Sequence, residues 1–302
     1  MMSIPKVLTV IFALLSTSLF AQQDPIYISE GQRSFWFNPA SIGTYNSYSI
    51  NTVGQLRFVN YEGAPKGLQL NGALKCMKIG DSENPFSTGA VGINYRYDRY
   101  GMMEMHHVSV PINIQFKIKN TYLSVGVSPG LQSIGFDALW IPPTSVADPA
   151  ILPVMDASQT KFDAGAGVQW YGRNFSLGFA STHLFEQRYD ELGFEAARHI
   201  YLSGSYSYPF NDKFALKATG VGRSVNGFYS TQAMLSGIFG SKNELTFGIG
   251  WRDRNTLMGA ITKRFNKFYL GYFLDYGSSQ LTNGGWFSHE VRIAFELFDS
   301  NL

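Results

Sequence analysis

The chain has 302 residues, 45% of them hydrophobic but only 15% charged, with a formal net charge of +2. Ordinary soluble domains carry about a quarter charged residues, so this chain is short of the groups that would coat a water-facing exterior. The near-neutral balance, without basic runs interleaved with aromatics, excludes a nucleic-acid surface.

Residues 1–21, MMSIPKVLTVIFALLSTSLFA, place Lys6 ahead of an apolar run from Val7 to about Leu15 and end in small and polar residues at Ala21. That is the pattern of a cleaved secretory signal peptide, and the run falls short of the ~20 residues a membrane helix needs. No later stretch approaches eighteen uninterrupted apolar residues, which excludes helical membrane spans. Cys76 is the only cysteine, so an exported chain gains no internal disulfide, and it reads as a packed small hydrophobe.

Residues 22–44, QQDPIYISEGQRSFWFNPASIGT, precede the first regular segment and put Phe35, Trp36 and Phe37 in a row. Consecutive aromatics cannot all face one environment in a strand. Two readings stay open: a leader tied into an interfacial aromatic girdle, or a plug that folds into or beneath a barrel, or makes periplasmic contacts. Glycines on the inner faces of later strands fit a lumen approached by other backbone, though glycine also eases barrel curvature.

From about residue 45 onward, segments of about ten residues alternate with a period of two and are separated by turn residues. Val91, Ile93, Tyr95 and Tyr97 alternate with Gly92, Asn94, Arg96 and Asp98; Phe162, Ala164, Ala166, Val168 and Trp170 with Asp163, Gly165, Gly167 and Gln169; Val291, Ile293, Phe295 and Leu297 with Glu290, Arg292, Ala294 and Glu296. Apolar residues on one face and charges on the other suit a wall between lipid and a polar interior. Strands are expected at 45–56, 66–75, 87–98, 104–116, 121–131, 162–171, 174–183, 199–208, 213–222, 227–239, 243–252, 256–265, 267–276 and 286–298. The fold is therefore all-β: a transmembrane antiparallel β-barrel of about 14 strands spanning 45–302, an even number as in single-chain bacterial barrels. Tight connections at Lys119-Asn120, Gly172-Arg173, Asn211-Asp212, Ser241-Lys242 and Asn266 take the periplasmic parity if the N-terminus is periplasmic. The long ones at 132–161, 184–198 and 277–285 take the outer parity, and the longish 76–86 connection breaks the rule, leaving the early registers in question.

The chemistry-bearing residues form no catalytic or metal pattern. His106, His107, His183, His199 and His289 lie outside any zinc or metalloprotease spacing, and the first two point to opposite faces of a strand. Each reads as a structural or loop histidine, and neither a cofactor nor a metal is expected. There is no nucleophile elbow, phosphate loop or dinucleotide fingerprint, so an enzyme is not expected. Inward charges such as Asp98 with Arg96, and Glu290 with Arg292 and Glu296, read as a salt-bridged lumen, or alternatively as the lining of a channel.

Several stretches together resemble the PorP/SprF-type outer-membrane proteins of the Bacteroidetes type IX secretion system: QQDP at 22–25, NPASIG at 38–43, YEGAPKGLQL at 61–70, DPAIL at 148–152, FDAGAGVQWY at 162–171 and RHIYLSGSYSY at 198–208. The motif positions are Asn38, Pro39 and Gly43, then Gly63, Ala64 and Pro65. Gln55-Leu56-Arg57-Phe58 stands where the family commonly has a tryptophan, and Phe298 is followed by four further residues. The resemblance implies a non-enzymatic outer-membrane component that supports secretion and surface attachment of particular cargo, adhesin-like proteins in some members linked to gliding motility, through their C-terminal domains. Implied partners are outer-membrane lipid, the cargo domain and other secretion components. Trp140, Ile141, Pro142 and Pro143, with Tyr189, Leu192 and Phe194, are the expected cargo-facing loop residues. The competing reading is a passive channel or small-molecule transporter of the same barrel size.

Overall fold

In a strand, successive side chains point to opposite faces, so a chain that alternates apolar with polar residues can separate lipid from water only if its sheet closes on itself and leaves no edge. The computed structural model describes residues 24–32, 34–44, 46–59, 61, 63–77, 86–136, 157–240, 244–253, 255–279 and 284–298, and shows that closure. The strands are β1 (Asn46–Leu56), β2 (Lys66–Met77), β3 (Phe86–Tyr100), β4 (Met103–Ser109), β5 (Ile112–Ile118), β6 (Thr121–Phe136), β7 (Ser158–Tyr171) and β8 (Phe175–Thr182). A two-residue pair follows, β9 (Arg188–Tyr189) and β10 (Phe194–Glu195), then β11 (His199–Asn211), β12 (Phe214–Val225), β13 (Phe228–Phe239), β14 (Leu245–Arg252), β15 (Thr256–Phe265), β16 (Phe268–Ser279) and β17 (Gly284–Phe298).

Every barrel strand pairs antiparallel with its neighbours, and β1 closes the ring by pairing with both β17 (Ile50 opposite Phe295) and β2 (Ile50 opposite Gly72). β4 and β5 are two halves of one stave: both pair with β3 and β6, so the fifteen-stranded sheet makes a fourteen-stave barrel. The break falls at Val110-Pro111, where proline has no N–H for the ladder. The chain bridges it through Gly92 N–H to Pro111 O (2.8 Å) and Val110 N–H to Pro129 O (2.9 Å).

Sidedness follows the alternation. On β3, Ile93 is 58% exposed whereas Arg96 and Asp98 are each 1% exposed, and on β17 Val291 and Ile293 face out while Glu290, Arg292 and Glu296 are buried. The outer face carries aromatic rings near each rim: Phe210, Phe214, Phe239 and Phe247 in a contacting row at one end, and Trp251 with the Tyr276–Phe287 pair toward the other. Rings with an apolar body and a polarisable face suit the two membrane interfaces. The end that holds the start of β1 and the end of β17 is the turn end; the opposite end, with the 57–65 and 183–198 connections, is the loop end.

All fourteen expected segments are present, the early ones in the places that periodicity gives them. β6 and β7 run farther than expected, to Phe136 and from Ser158, because alternation persists into what looked like loop; residues 137–156 between them lie outside the described residues, as do 78–85. Parity is looser than expected too, since two-residue turns at 101–102 and 226–227 also lie at the loop end. Val291 sits on the outer face midway between the aromatic rims, so Val291→Arg should lower unfolding free energy in bilayers by about 2–4 kcal/mol. Urea titration of the variant reads this directly, and a change below about 0.5 kcal/mol, the level of an ordinary surface substitution, would place that face away from lipid.

Candidate functional site

A fourteen-stave ring encloses more space than inward side chains of ordinary size fill, and here the space is taken by residues 24–44. Asn38 has no exposed surface. Its side-chain oxygen accepts from Ala40 N–H (3.0 Å), capping the short 3₁₀ turn Pro39–Ser41, while its amide donates to Gln169 Oε1 (2.9 Å) and Val168 O (3.3 Å) of β7. From β5, Asn113 Nδ2 donates to the Ala40 and Ile42 carbonyls (3.1 and 2.7 Å) and Gln115 Nε2 to Ile42 O (3.2 Å). Wall glycines make the bay for this turn: a Cβ at Gly126 would lie 2.7 Å from the Pro39–Ala40 backbone, and one at Gly167 would run into the Asn38 side chain. Gly43 turns the chain toward β1 at φ +63°, with Ala90 packed where its Cβ would be.

The three consecutive aromatics go to three different places. Phe35 packs with Ile42, Ala73 and Ala90; Phe37 stacks on Tyr201 (4.5 Å between ring centres) beside Ala180 and Val221; Trp36 lies under the Arg96 guanidinium (4.4 Å) with its edge toward His107. An earlier 3₁₀ turn, Ile28–Gly31, rests on Met234, Met258 and Phe273, and its Ile28 and Ser29 amides both donate to the Glu290 carboxylate (2.7 and 3.1 Å). The three aromatics thus stand inside the barrel wall and not at a lipid interface. Gly63, Ala64 and Pro65 sit apart from them, in the β1–β2 connection, with Gly63 at φ +69° and its carbonyl accepting from Gly101 N–H (3.1 Å).

The densest polar chemistry gathers at the loop end around Asp24. Arg96 donates twice to its carboxylate (2.8 and 3.2 Å), His183 Nε2 lies 3.1 Å from Oδ2, the Asp24 N–H donates to His199 Nε2 (3.1 Å), and Arg223 donates to the Asp24 carbonyl (2.7 Å). Asp163 stands 3.0 Å from His183 Nδ1 and 2.9 Å from His107 Nε2, and Arg96 Nε is 2.8 Å from Asp98, which also accepts from the Tyr27 hydroxyl (3.2 Å). Burial pushes the Asp24 carboxyl up, but Arg96, His183 and His199 outweigh it and hold the group well below the usual carboxylate range. Glu30 has no such escort: burial drives its carboxyl up to about 7, only partly offset by Arg223 and the Tyr27 amide. Two separate cavities flank the packed middle: about 190 Å³ at the loop end, lined by Met103, Met105, Phe194 and the Asp24–His183–His199 group, and about 480 Å³ at the turn end, among Ser34, Thr44, Arg173, Lys217 and Arg264.

Two expectations are corrected. Tyr189, Leu192 and Phe194 do not form an outward docking surface: the β9–β10 pair turns them inward onto Met105 and Ile134, because apolar side chains beside a barrel rim gain more from burial than from water. His107, His183 and His199, each expected as a structural or loop histidine, converge with Asp24 and Asp163 on one buried cluster. Asp24 also lies at the end opposite the start of β1, so the described chain begins at the loop end and not at the turn end. Trp140, Ile141, Pro142 and Pro143 lie outside the described residues.

These features define a class: an outer-membrane β-barrel whose lumen is filled by its own N-terminal segment. Solved structures agree on the fold. The chain is similar to the Ralstonia pickettii toluene transporter TbuX (11% identity, 91% of this chain and 94% of that one, TM-score 0.51), to the Acinetobacter baumannii outer membrane protein Omp33 (9%, 84% and 100%, 0.51), and to the CymD monoaromatic hydrocarbon channel (10%, 91% and 94%, 0.51). No curated protein matches it. Residues 19–295 match the family described as type IX secretion system membrane protein PorP/SprF, and the chain belongs to that family.

Gly167→Leu should unseat the Asn38 turn while leaving the wall closed: the purified variant keeps its heat-dependent shift on denaturing gels but shows steady conductance in planar bilayers where the parent shows little. Unchanged conductance in a folded variant would mean that the turn does not block the lumen. Glu30 supplies a pH test. A carboxyl whose folded pKa is raised stays protonated in the native state while the unfolded chain ionises, so its stabilising contribution is full below about pH 4.5 and is lost as pH rises to about 7. Relative to Glu30→Gln, the parent should lose stability between pH 4.5 and 7 in denaturant titrations; parallel profiles would show that Glu30 titrates normally.

Proposed function

We propose that this type IX secretion component is a non-enzymatic barrel that supports export and surface attachment of specific cargo through the cargo's C-terminal domain, with the turn end in the periplasm and the loop end at the cell surface. The observation that carries this reading is the filled lumen: the Asn38 turn and Phe35–Phe37 occupy its middle and the Asp24 ion cluster its loop end, which suits a scaffold better than a conduit. With Tyr189, Leu192 and Phe194 turned inward, the remaining candidate for cargo contact is the long β6–β7 connection with Trp140, Ile141, Pro142 and Pro143. The strands that flank it run to Phe136 and from Ser158, beyond the bounds that periodicity gives them. Adhesin-like cargo, and with it a part in gliding, belongs to this proposal, as do outer-membrane lipid and the other secretion components as partners.

A second reading is favoured by the loop-end cavity. Its volume of about 190 Å³ and its Met103, Met105 and Phe194 lining fit a small apolar solute, and TbuX and CymD bear the titles of a toluene transporter and a hydrocarbon channel. Deleting the gene in the native host and comparing surface and secreted proteins separates the two. Selective loss of one or a few exported proteins is expected, reproduced by a strain lacking residues 137–156 at normal barrel levels. Unchanged secretion with altered uptake of a small aromatic solute would favour the channel.

A further inference from the structure

Asp24 comes from the lumenal segment, His183 from the end of β8, and His199 from the start of β11, so one point joins the plug to both roots of the 183–198 connection. Among the described residues, one atom from each, the two imidazole nitrogens and a carboxylate oxygen, all lie within 4.8 Å of one another, and all three side chains are buried. The ring orientations are set from behind. His199 Nδ1 is 2.8 Å from the Ala197 carbonyl, which can only accept, so Nδ1 carries the proton and Nε2 presents its lone pair inward; the Asp24 N–H points at that lone pair. His183 has Asp163 3.0 Å from Nδ1, leaving Nε2 toward Asp24 Oδ2. A histidine backed by a carboxylate or a backbone carbonyl is the arrangement that metal-binding histidines adopt, and here a cation would displace the Asp24 N–H from His199 Nε2. The cavity of about 190 Å³ touches all three residues and has room for a water in a fourth position.

We propose that Asp24, His183 and His199 form a site for a first-row divalent cation, zinc by its donor set, that ties the N-terminal segment to the loop-end wall. Two imidazoles and one carboxylate with a remaining solvent position match zinc, and tetrahedral ligands at 2.0–2.1 Å from the ion stand about 3.3 Å apart. The Asp24–His183 separation of 3.1 Å already meets that spacing, and His199 closes on it by moving into the adjoining cavity. The cation takes the place of the proton between His183 Nε2 and Asp24 Oδ2, and that proton leaves to solvent. Arg96 keeps its hold on Oδ1 through Nη2 (2.8 Å) and gives up the longer Nη1 bond to Oδ2 (3.2 Å), while Asp163 balances the added charge. The site rests on geometry independent of any cargo or channel role.

The test uses the full processed chain in detergent, stripped with a chelator and then given zinc alone. About one zinc per chain should remain after gel filtration, measured by mass spectrometry, and cobalt substituted for it should give the visible absorption of a four-coordinate nitrogen–oxygen site. His199→Gln should weaken zinc binding at least tenfold, and Asp163→Asn, which touches no metal, by about 10- to 100-fold, with the heat-dependent gel shift reporting that each variant folds. Absence of stoichiometric zinc on the parent protein at micromolar concentration, or equal retention by His183→Gln and His199→Gln variants, would overturn the proposal.

Discussion

Asp24, its buried carboxylate held by Arg96 and His183 and its backbone N–H and carbonyl by His199 and Arg223, is the residue on which the packing of the lumen turns. Removing one partner of a buried ion pair leaves a charge without hydration, a cost of about 3–5 kcal/mol, and here Arg96 and His183 would lose the same partner. Arg96 cannot be satisfied by the wall alone: Asp98 takes its Nε, and the two terminal nitrogens are met by Asp24 from the inserted segment. Wall and plug are thus electrostatically incomplete without each other. The same dependence recurs lower in the lumen, where Glu290 of β17 has its oxygens matched to the Ile28 and Ser29 amides.

Steric complementarity fixes where the segment goes once charge has fixed that it must enter. The bay at Gly126 and Gly167 admits the Asn38–Pro39–Ala40 turn because those two positions lack a Cβ, and Asn38 then replaces with its own amide the hydrogen bonds that a wall side chain would have made to Gln169. Trp36 covers Arg96 from the other side, excluding water from the pair and strengthening it. The Asn38–Pro39 turn is thus the footing by which the N-terminal segment becomes part of the barrel core.

The wall was legible in the sequence because each strand repeats every two residues, and each repetition is an independent vote on sidedness; Asn94, Arg96 and Asp98 facing in against Ile93 facing out needed no tertiary information. Inward glycines fitted close approach by other backbone and barrel curvature equally, and Gly126 proves to be the former. What periodicity cannot carry was lost. Phe35, Trp36 and Phe37 have no repeat, and only the shape of the lumen sends each to a different wall. Tyr189, Leu192 and Phe194 sit in an irregular connection, where nothing in the local pattern distinguishes a rim turned inward from one turned outward. Asp24 and His183 are 159 positions apart, a pairing that no spacing rule foresees.

These limits bear on how the barrel is made. The segment's contacts run to β3, β5, β7, β11, β12 and β17, strands from the whole circumference, so no part of the wall can satisfy it before most of the ring exists. A wall closed first would have to admit a chain carrying Trp36 and Phe37 past its own rim, whereas a wall closing around the segment meets each partner as it arrives. Since hydrogen bonds in an apolar setting gain from being made together and cost most when half made, closure around the plug is the order in which fewest buried polar groups are left waiting.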